Sequence, residues 1–213
     1  MRKPLSANHY MNKIKPIVRK TRFSQLRIDD IAKYMDISKV TLYKHFSSKE
    51  EIIEQVVNYE VEYLQQADLV VHDVSLPFVD RFQQTFLQSL LCVVYISDLF
   101  LQDLKDFYPM LYDKLIMAQQ NRNKSLQHFF EAGMDQKVFN RMNAVLSLVQ
   151  DDATLRRIME PTFSIQWVDL TLKQAIIEYY KMKKYQMIRP EHLETIDDAN
   201  LESQVVEILQ TIS

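Results

Sequence analysis

Lys39, Val40 and Thr41, followed by Tyr43, Lys44 and His45, are the residues of this chain whose types and spacing suit chemistry. That chemistry is recognition, not catalysis. A lysine ammonium can donate to guanine O6 and N7, and the methyls of Val40 and Thr41 can touch a thymine methyl. Tyr43, Lys44 and His45 supply hydroxyl, ammonium and imidazole donors suited to phosphate oxygens. Such groups work only on one face of a short, well-started helix. Ser38 stands where an N-cap hydroxyl can accept from free backbone N–H groups. Leu42 and Phe46, four apart, face back inward. Lys49 falls in the first turn of the following helix, where free N–H groups also favour an anion.

The elements that must position these residues lie in Ile28–Ile53, IDDIAKYMDISKVTLYKHFSSKEEII. The stretch reads as three helices separated by two tight turns. Ile28, Ile31 and Ala32 share one helical face, Met35-Asp36-Ile37 is the first break, and Ser48-Lys49-Glu50-Glu51 has the form of a capping box. A short helix held by its predecessor, with an outward face of Lys, Thr, Tyr and His, suits insertion into a major groove. Core packing for Tyr43, and a buried, satisfied imidazole for His45, stay open on sequence alone.

The segment IAKYMDISKVTLYKHFSSKEEI resembles the DNA-binding signature of the TetR/AcrR family of bacterial repressors. The match runs through Ile31-Ala32-Lys33, Ile37-Ser38, Thr41-Leu42-Tyr43, His45-Phe46 and Ser48-Lys49-Glu50-Glu51. Outside about residues 10–57 the resemblance is one of length, helical pattern and layout. Three positions depart from the family pattern. Asp36 stands where Gly is usual, and Asp is among the few residues that visit left-handed backbone. Val40 replaces a common Gly, making the outward face bulkier and more apolar. Arg27 replaces a frequent capping Thr, which weakens that cap. The resemblance implies contacts to double-stranded operator DNA by Arg27, Ser38, Lys39, Val40, Thr41, Tyr43, Lys44, His45 and Lys49.

The totals agree with an all-α chain. One Gly and six Pro in 213 residues leave little material for tight hairpins or Gly-rich phosphate loops. The single Cys92 excludes an internal disulfide and suits a reducing cytoplasm. Met1-Arg2-Lys3 is followed by polar sequence and not by the apolar run of a signal peptide. Phe86–Leu101, the most apolar stretch, is interrupted by Gln88, Ser89, Ser97 and Asp98 and is too short and polar to span a bilayer. Net charge is −2, but residues 1–50 hold 12 Lys+Arg against 4 Asp+Glu, and residues 51–213 hold 14 against 24. A basic head on an acidic body is the electrostatic footprint of nucleic-acid binding confined to one end.

In chain order, residues 6–20 form a first helix with Ser6 as its cap. Pro16 should kink it or split it near 12–15. Its basic residues, Lys13, Lys15, Arg19, Lys20 and Arg22, suit phosphates or a solvated face. The motif helices occupy 28–35 and 38–45, completing a DNA-binding domain of residues 1–50. The remainder, 51–213, is the expected ligand and dimerisation domain. Its helices are expected at 48–67, 77–96, 97–105 and 109–131, the last ending at Gly133 as a left-handed C-terminal residue. Two more follow at 143–160 and 170–187, the latter capped by Asp169. The tail from Pro190 to Ser213 carries six acidic residues and no Lys or Arg, and suggests one further amphipathic helix through Leu201, Val205, Val206, Ile208, Leu209 and Ile212.

The body is dense in large, soft residues that suit an adaptable apolar cavity. Phe100, Phe107, Tyr108, Met110, Tyr112, Phe130, Met134, Phe163 and Trp167 are the candidates, with Met117 and Phe129 beside them. Each also reads as plain core. His128 and Glu131, one turn apart, suit a polar anchor or a surface pair. Catalysis has little support. The five histidines include no i, i+4 zinc pair, so no metal or cofactor is expected. Asp151-Asp152 and Asp197-Asp198 read as solvated or capping residues.

The family resemblance implies an N-terminal three-helix helix-turn-helix head and a C-terminal helical bundle. It also implies a homodimer through the helices near 143–160 and 170–187, and a small, apolar effector. Two alternatives remain open: a regulator controlled by a partner protein, and a small-molecule-binding protein without an operator.

Overall fold

The computed structural model describes residues 7–211, with side chains from Tyr10 onward. The expected Ser6 cap and Ile212 lie outside those residues. The helices are α1 (Ala7–Lys20), α2 (Ile28–Tyr34), α3 (Lys39–His45), α4 (Lys49–His72), α5 (Phe78–Tyr95), α6 (Asp98–Phe107), α7 (Pro109–Asp135), α8 (Ala144–Met159), α9 (Phe163–Gln166), α10 (Leu172–Met187) and α11 (Leu201–Gln210). Short 3₁₀ turns lie at Phe23–Gln25 and Pro190–Thr195. Among the described residues the β-pairing amounts to one isolated bridge, Phe139 to Ile188. The chain is all-α, as its Gly-poor composition implies.

Two compact units emerge. One comprises the chain up to Tyr63 together with Tyr95–Gln119; the other comprises Leu64–Val94 and the chain from Gln120 onward. The expected boundary at residue 50 therefore falls in the first turn of α4, which continues unbroken to Tyr63 and beyond. In the first unit Ile14, Phe23, Ile31, Met35, Leu42, Phe46, Ile52 and Ile53 form the core. In the second, Phe82, Phe86, Phe129, Phe130, Phe139 and Tyr180 pack ring against ring, with centroids 5.1–6.2 Å apart along the chain of contacts.

Several local expectations are corrected. Helix α1 runs through Pro16 without a split. Burial of Met11, Ile14, Lys15 and Val18 on both sides of the proline stabilises the helix beyond its local propensity. Helix α4 extends five residues past 67 because Ala67 and Val71 continue its buried stripe. It stops at an Asx turn, in which Asp73 accepts from the Ser75 amide at 3.0 Å and its hydroxyl at 2.5 Å. Helix α7 passes Gly133 and ends two residues later, and no Gly adopts positive φ among the described residues. The left-handed residue is Lys137, φ 58°. Gly133 serves close packing instead, because a Cβ there would overlap the Phe139 ring. The cap of α10 is Thr171, whose hydroxyl accepts from the Gln174 amide at 3.2 Å, and not Asp169. The intervening residues form α9.

The tail does form α11, burying Leu201, Val205 and Ile208 against α10. Among the described residues no single helix is long and apolar enough to cross a membrane.

Candidate nucleic-acid interface

Helix α3 is built as its sequence dictates. Ser38 adopts an extended backbone and its hydroxyl accepts from the Thr41 amide at 3.0 Å. Asp36 takes φ 59°, so the turn that usually uses Gly is made by Asp. Leu42 and Phe46 are buried. The face this leaves outward carries Lys39, Val40, Tyr43 and Lys44, all exposed, with Thr41 half-buried beside Ser38. Val40 is 69% and Tyr43 50% exposed, so Tyr43 is a surface residue and not core packing. Val40 therefore presents an apolar methyl pair to solvent at the start of the helix.

The cations of this face are held differently from one another. Lys39 pairs with Asp29 of α2 at 3.0 Å, and that bond holds its ammonium above the usual lysine range. His45 is half-buried and lies 5.0 Å from the Tyr10 ring, which fixes it against α1. Lys49 is turned inward: its ammonium donates to the Ser24 carbonyl at 2.7 Å and sits 5.2 Å from the Phe23 ring centroid. Burial lowers its pKa. Its role as a phosphate contact therefore has to share the ammonium with a bond that ties α4 to the Phe23–Gln25 turn. Arg27 is exposed; having no acceptor, it cannot cap α2 with its side chain, and Asp30 caps reciprocally by accepting from the Arg27 amide at 3.0 Å. The capping box at α4 is shifted by one residue. Ser48 accepts from the Glu51 amide at 3.1 Å, while the Glu51 carboxylate accepts from the Ser47 amide and hydroxyl, both at 2.6 Å.

Behind this surface lies a pair that spacing could not reveal. Lys15 of α1 and Glu60 of α4, 6% and 2% exposed, stand 3.9 Å apart. The Lys15 ammonium lies over the Tyr59 ring, and Glu60 Oε2 has no partner. Burial draws Lys15 down to about 8 and lifts Glu60 to about 7. Lys15 is thus removed from the solvated basic face expected for α1. Lys13, by contrast, remains near the surface, 3.4 Å from Asp36.

The proposed ligand residues divide between the two units. In the first unit Phe100 is buried core, Tyr108 and Tyr112 are half-buried, and Phe107 and Met110 are exposed, Met110 at 85%. In the second, Phe130, Met134 and Phe163 are buried, while Trp167 is 59% exposed. His128 and Glu131 are both exposed, and Glu131 accepts from Gln127.

The second unit has its own cavity, lined by Phe82, Thr85, Phe86, Ser89, Leu126, Phe130, Leu148 and Asp151. Phe130 alone of these was nominated from sequence. Asp151 is no solvated residue. It pairs with the fully buried Lys183 at 3.0 Å and accepts from the Tyr179 hydroxyl at 2.6 Å. Lys183 also donates to the Ser147 carbonyl and hydroxyl. Burial pushes the Asp151 carboxyl up, against the opposing pull of Lys183. Asp198, of the second acidic pair, accepts from Tyr180, Gln83 and Lys184. These partners lie 14 to 115 residues away in sequence, where local spacing carries no signal. Among the described residues no group of three or more His, Cys, Asp or Glu is arranged to hold a metal.

Residues 23–56, which contain the capped α3 and its exposed face, match the bacterial regulatory proteins of the tetR family. Over that segment the chain is similar to the tetR-family regulators. The helix-turn-helix within it corresponds to the DNA-binding segment of those regulators. None of the curated proteins compared matches it. Among solved structures it is similar to the ketosteroid transcriptional regulator KstR2 of Mycobacterium tuberculosis, at 17% identity and TM-score 0.64, over 87% of this chain and 97% of that one. It is also similar to a putative transcriptional regulator from Saccharomonospora viridis in complex with choline, at 15% identity and TM-score 0.62, over 85% and 97%. A third likeness is AibR in complex with isovaleryl coenzyme A and operator DNA, at 15% identity and TM-score 0.59, over 82% and 96%. At these identities the likeness is one of fold.

Proposed function

We propose that this protein is a TetR-family regulator, a homodimeric, ligand-responsive repressor that reads a near-palindromic operator with the start of α3. The exposed face of Lys39, Val40, Tyr43 and Lys44 on a helix capped by Ser38 carries the reading. Lys39, Val40 and Thr41 meet base edges; Tyr43 and Lys44 meet phosphates. Arg27, Ser38, His45 and Lys49 lie around them as supporting contacts.

The dimer forms through α8 and α10. Val145, Leu146 and Val149 on α8, and Met182 and Tyr185 on α10, are each at least 50% exposed in the single chain, an apolar surface that a second copy would cover. Two heads then meet successive major grooves about 34–36 Å apart. An effector bound in the second unit favours a state in which that spacing no longer fits DNA. The requirement is tighter binding of effector to that state than to the DNA-bound one. That the Saccharomonospora protein holds choline and AibR holds isovaleryl coenzyme A is in keeping with an effector here.

The test is selection from a pool of random-sequence duplexes at near-physiological salt, followed by sequencing. Enrichment of one near-palindromic motif is expected. Weak, salt-sensitive binding without enrichment would overturn the reading.

A further inference from the structure

Two buried arginines of the second unit, Arg81 and Arg122, have no paired carboxylate among the described residues, and each leaves its Nε without a partner. The Lys183 ammonium, by contrast, meets the Asp151 carboxylate and both oxygens of Ser147. Arg81, 6% exposed, donates to the Val71 carbonyl at the end of α4, and its guanidinium is covered by the rings of Phe78 and Phe129 at 4.3 and 5.2 Å, which take the place of a counter-ion. Arg122 of α7, also 6% exposed, has one hydrogen bond, from Nη2 to the Ser89 hydroxyl at 3.2 Å. Its Nε is buried without a partner, and no carboxylate of the described residues pairs with it. Asp68, which accepts from Ser125 one turn along α7, is engaged by Ser125 and His72 instead. A guanidinium taken out of water without a counter-ion is costly, and an anion beside it relieves the cost.

Ser89, the one hydrogen-bond partner of Arg122 among the described residues, lines the cavity described above. Of the other polar lining residues, Thr85 donates its hydroxyl to the Phe82 carbonyl, and Asp151, the one carboxylate, is already neutralised by Lys183. The cavity volume among these side chains is about 10 Å³, room for roughly one water molecule. A larger occupant must part the rings of Phe82, Phe86 and Phe130. Occupancy and a change in the packing of α5, α7 and α8 are therefore one event.

We infer that the effector is a small apolar carboxylic acid, whose carboxylate pairs with Arg122 beside Ser89 and whose hydrocarbon body parts the cavity wall. The inference rests on the ligand-responsive reading above and names the chemical class at its site. A cation would meet the unpaired Arg122 charge, and an uncharged molecule would leave it unrelieved.

The full-length protein is titrated calorimetrically with straight-chain carboxylates from acetate to octanoate, with benzoate and phenylacetate, and with the amide of each. At least one carboxylate is expected to bind about tenfold or more tightly than its amide, since charge-assisted pairing is about twice as strong as a neutral bond. Arg122→Gln should remove that preference, and Ser89→Ala, which spares the charge, should keep most of it. If Arg122→Gln does not fold, the wild-type thermal midpoint is the readout, raised by the carboxylate and not by the amide. Equal binding of acid and amide, an unaffected Arg122→Gln, or no carboxylate bound at about 10 mM each overturns the proposal. An operator found by selection together with no carboxylate bound sinks the ligand class alone. A bound carboxylate without an operator sinks the regulator reading and leaves the site.

Discussion

Each compact unit buries one lysine–carboxylate pair, and the two pairs are built to opposite standards. In the second unit Lys183 and Asp151 stand 3.0 Å apart, with Tyr179 and Ser147 supplying further bonds. In the first, Lys15 and Glu60 stand 3.9 Å apart, and Glu60 Oε2 has no partner. A buried ion pair repays its desolvation only when its remaining donors and acceptors are also satisfied. The pair in the body meets that condition and fixes α8 against α10. The pair in the head does not, so its charge is conditional on pH.

The sharpest way to break the comparison is Asp151→Ala. It leaves a wholly buried Lys183 without its counter-charge and should cost about 3–5 kcal/mol of stability by denaturant unfolding. The double variant Asp151→Leu with Lys183→Met removes both charges and should recover most of that loss. If the single variant costs no more than a surface substitution, the pair is not the anchor described here.

The head pair should show itself as pH dependence. Burial raises Glu60 from 4.5 to about 7, so the folded state keeps a proton the unfolded state has released, and stability falls as pH rises from 4.5 to 7. Burial lowers Lys15 from 10.5 to about 8, so the unfolded state keeps the proton instead, and stability rises from pH 8 to 10.5. The minimum lies between the two values, and each limb amounts to about 1–3 kcal/mol. Glu60→Gln should flatten the acid limb and Lys15→Met the alkaline one. Unchanged limbs in those variants would show that other groups set the profile.

These pairs mark the limit of what the sequence discloses. The Ser38 cap, the left-handed Asp36, and the inward Leu42 and Phe46 are decided within four residues of themselves, and all are legible. The exposed face of α3 follows from them. The Lys15–Glu60 and Asp151–Lys183 contacts join residues 45 and 32 positions apart and leave no local periodicity. The same reason separates the two readings of Gly133. A C-terminal glycine is a local signature, whereas the demand for a missing Cβ comes from Phe139 folding back over the helix. Aromatic residues are the sequence's guide to a cavity wherever they fall, but the wall takes half of its residues from α5, whose composition resembles any core helix.

Lys49→Ala asks whether a partly buried cation of the head acts through packing or through DNA. Its bond to the Ser24 carbonyl and its approach to Phe23 predict a loss of about 1 kcal/mol in stability. Duplex binding should weaken alike for selected and random sequences. Weaker binding without any loss of stability would return Lys49 to a purely phosphate-directed role.

Lys39 is the opposite case, since its ion-pair partner is Asp29, itself exposed, across the turn. An exposed pair of this kind contributes little to folding, so Lys39→Ala should leave the unfolding midpoint in place. Its effect should appear in recognition: selectivity for the enriched motif over random duplex should fall about tenfold, with the salt slope of random binding nearly unchanged. The Asp29 carboxylate competes with DNA for the same ammonium, which gives a second measurement. Asp29→Asn frees Lys39 and removes a negative charge from the head, so binding to every duplex should tighten, most at low salt where surface charges are least screened. If Lys39→Ala instead weakens motif and random DNA equally and lowers the salt slope by about one, Lys39 is a phosphate contact and the base-reading start of α3 reduces to Val40 and Thr41.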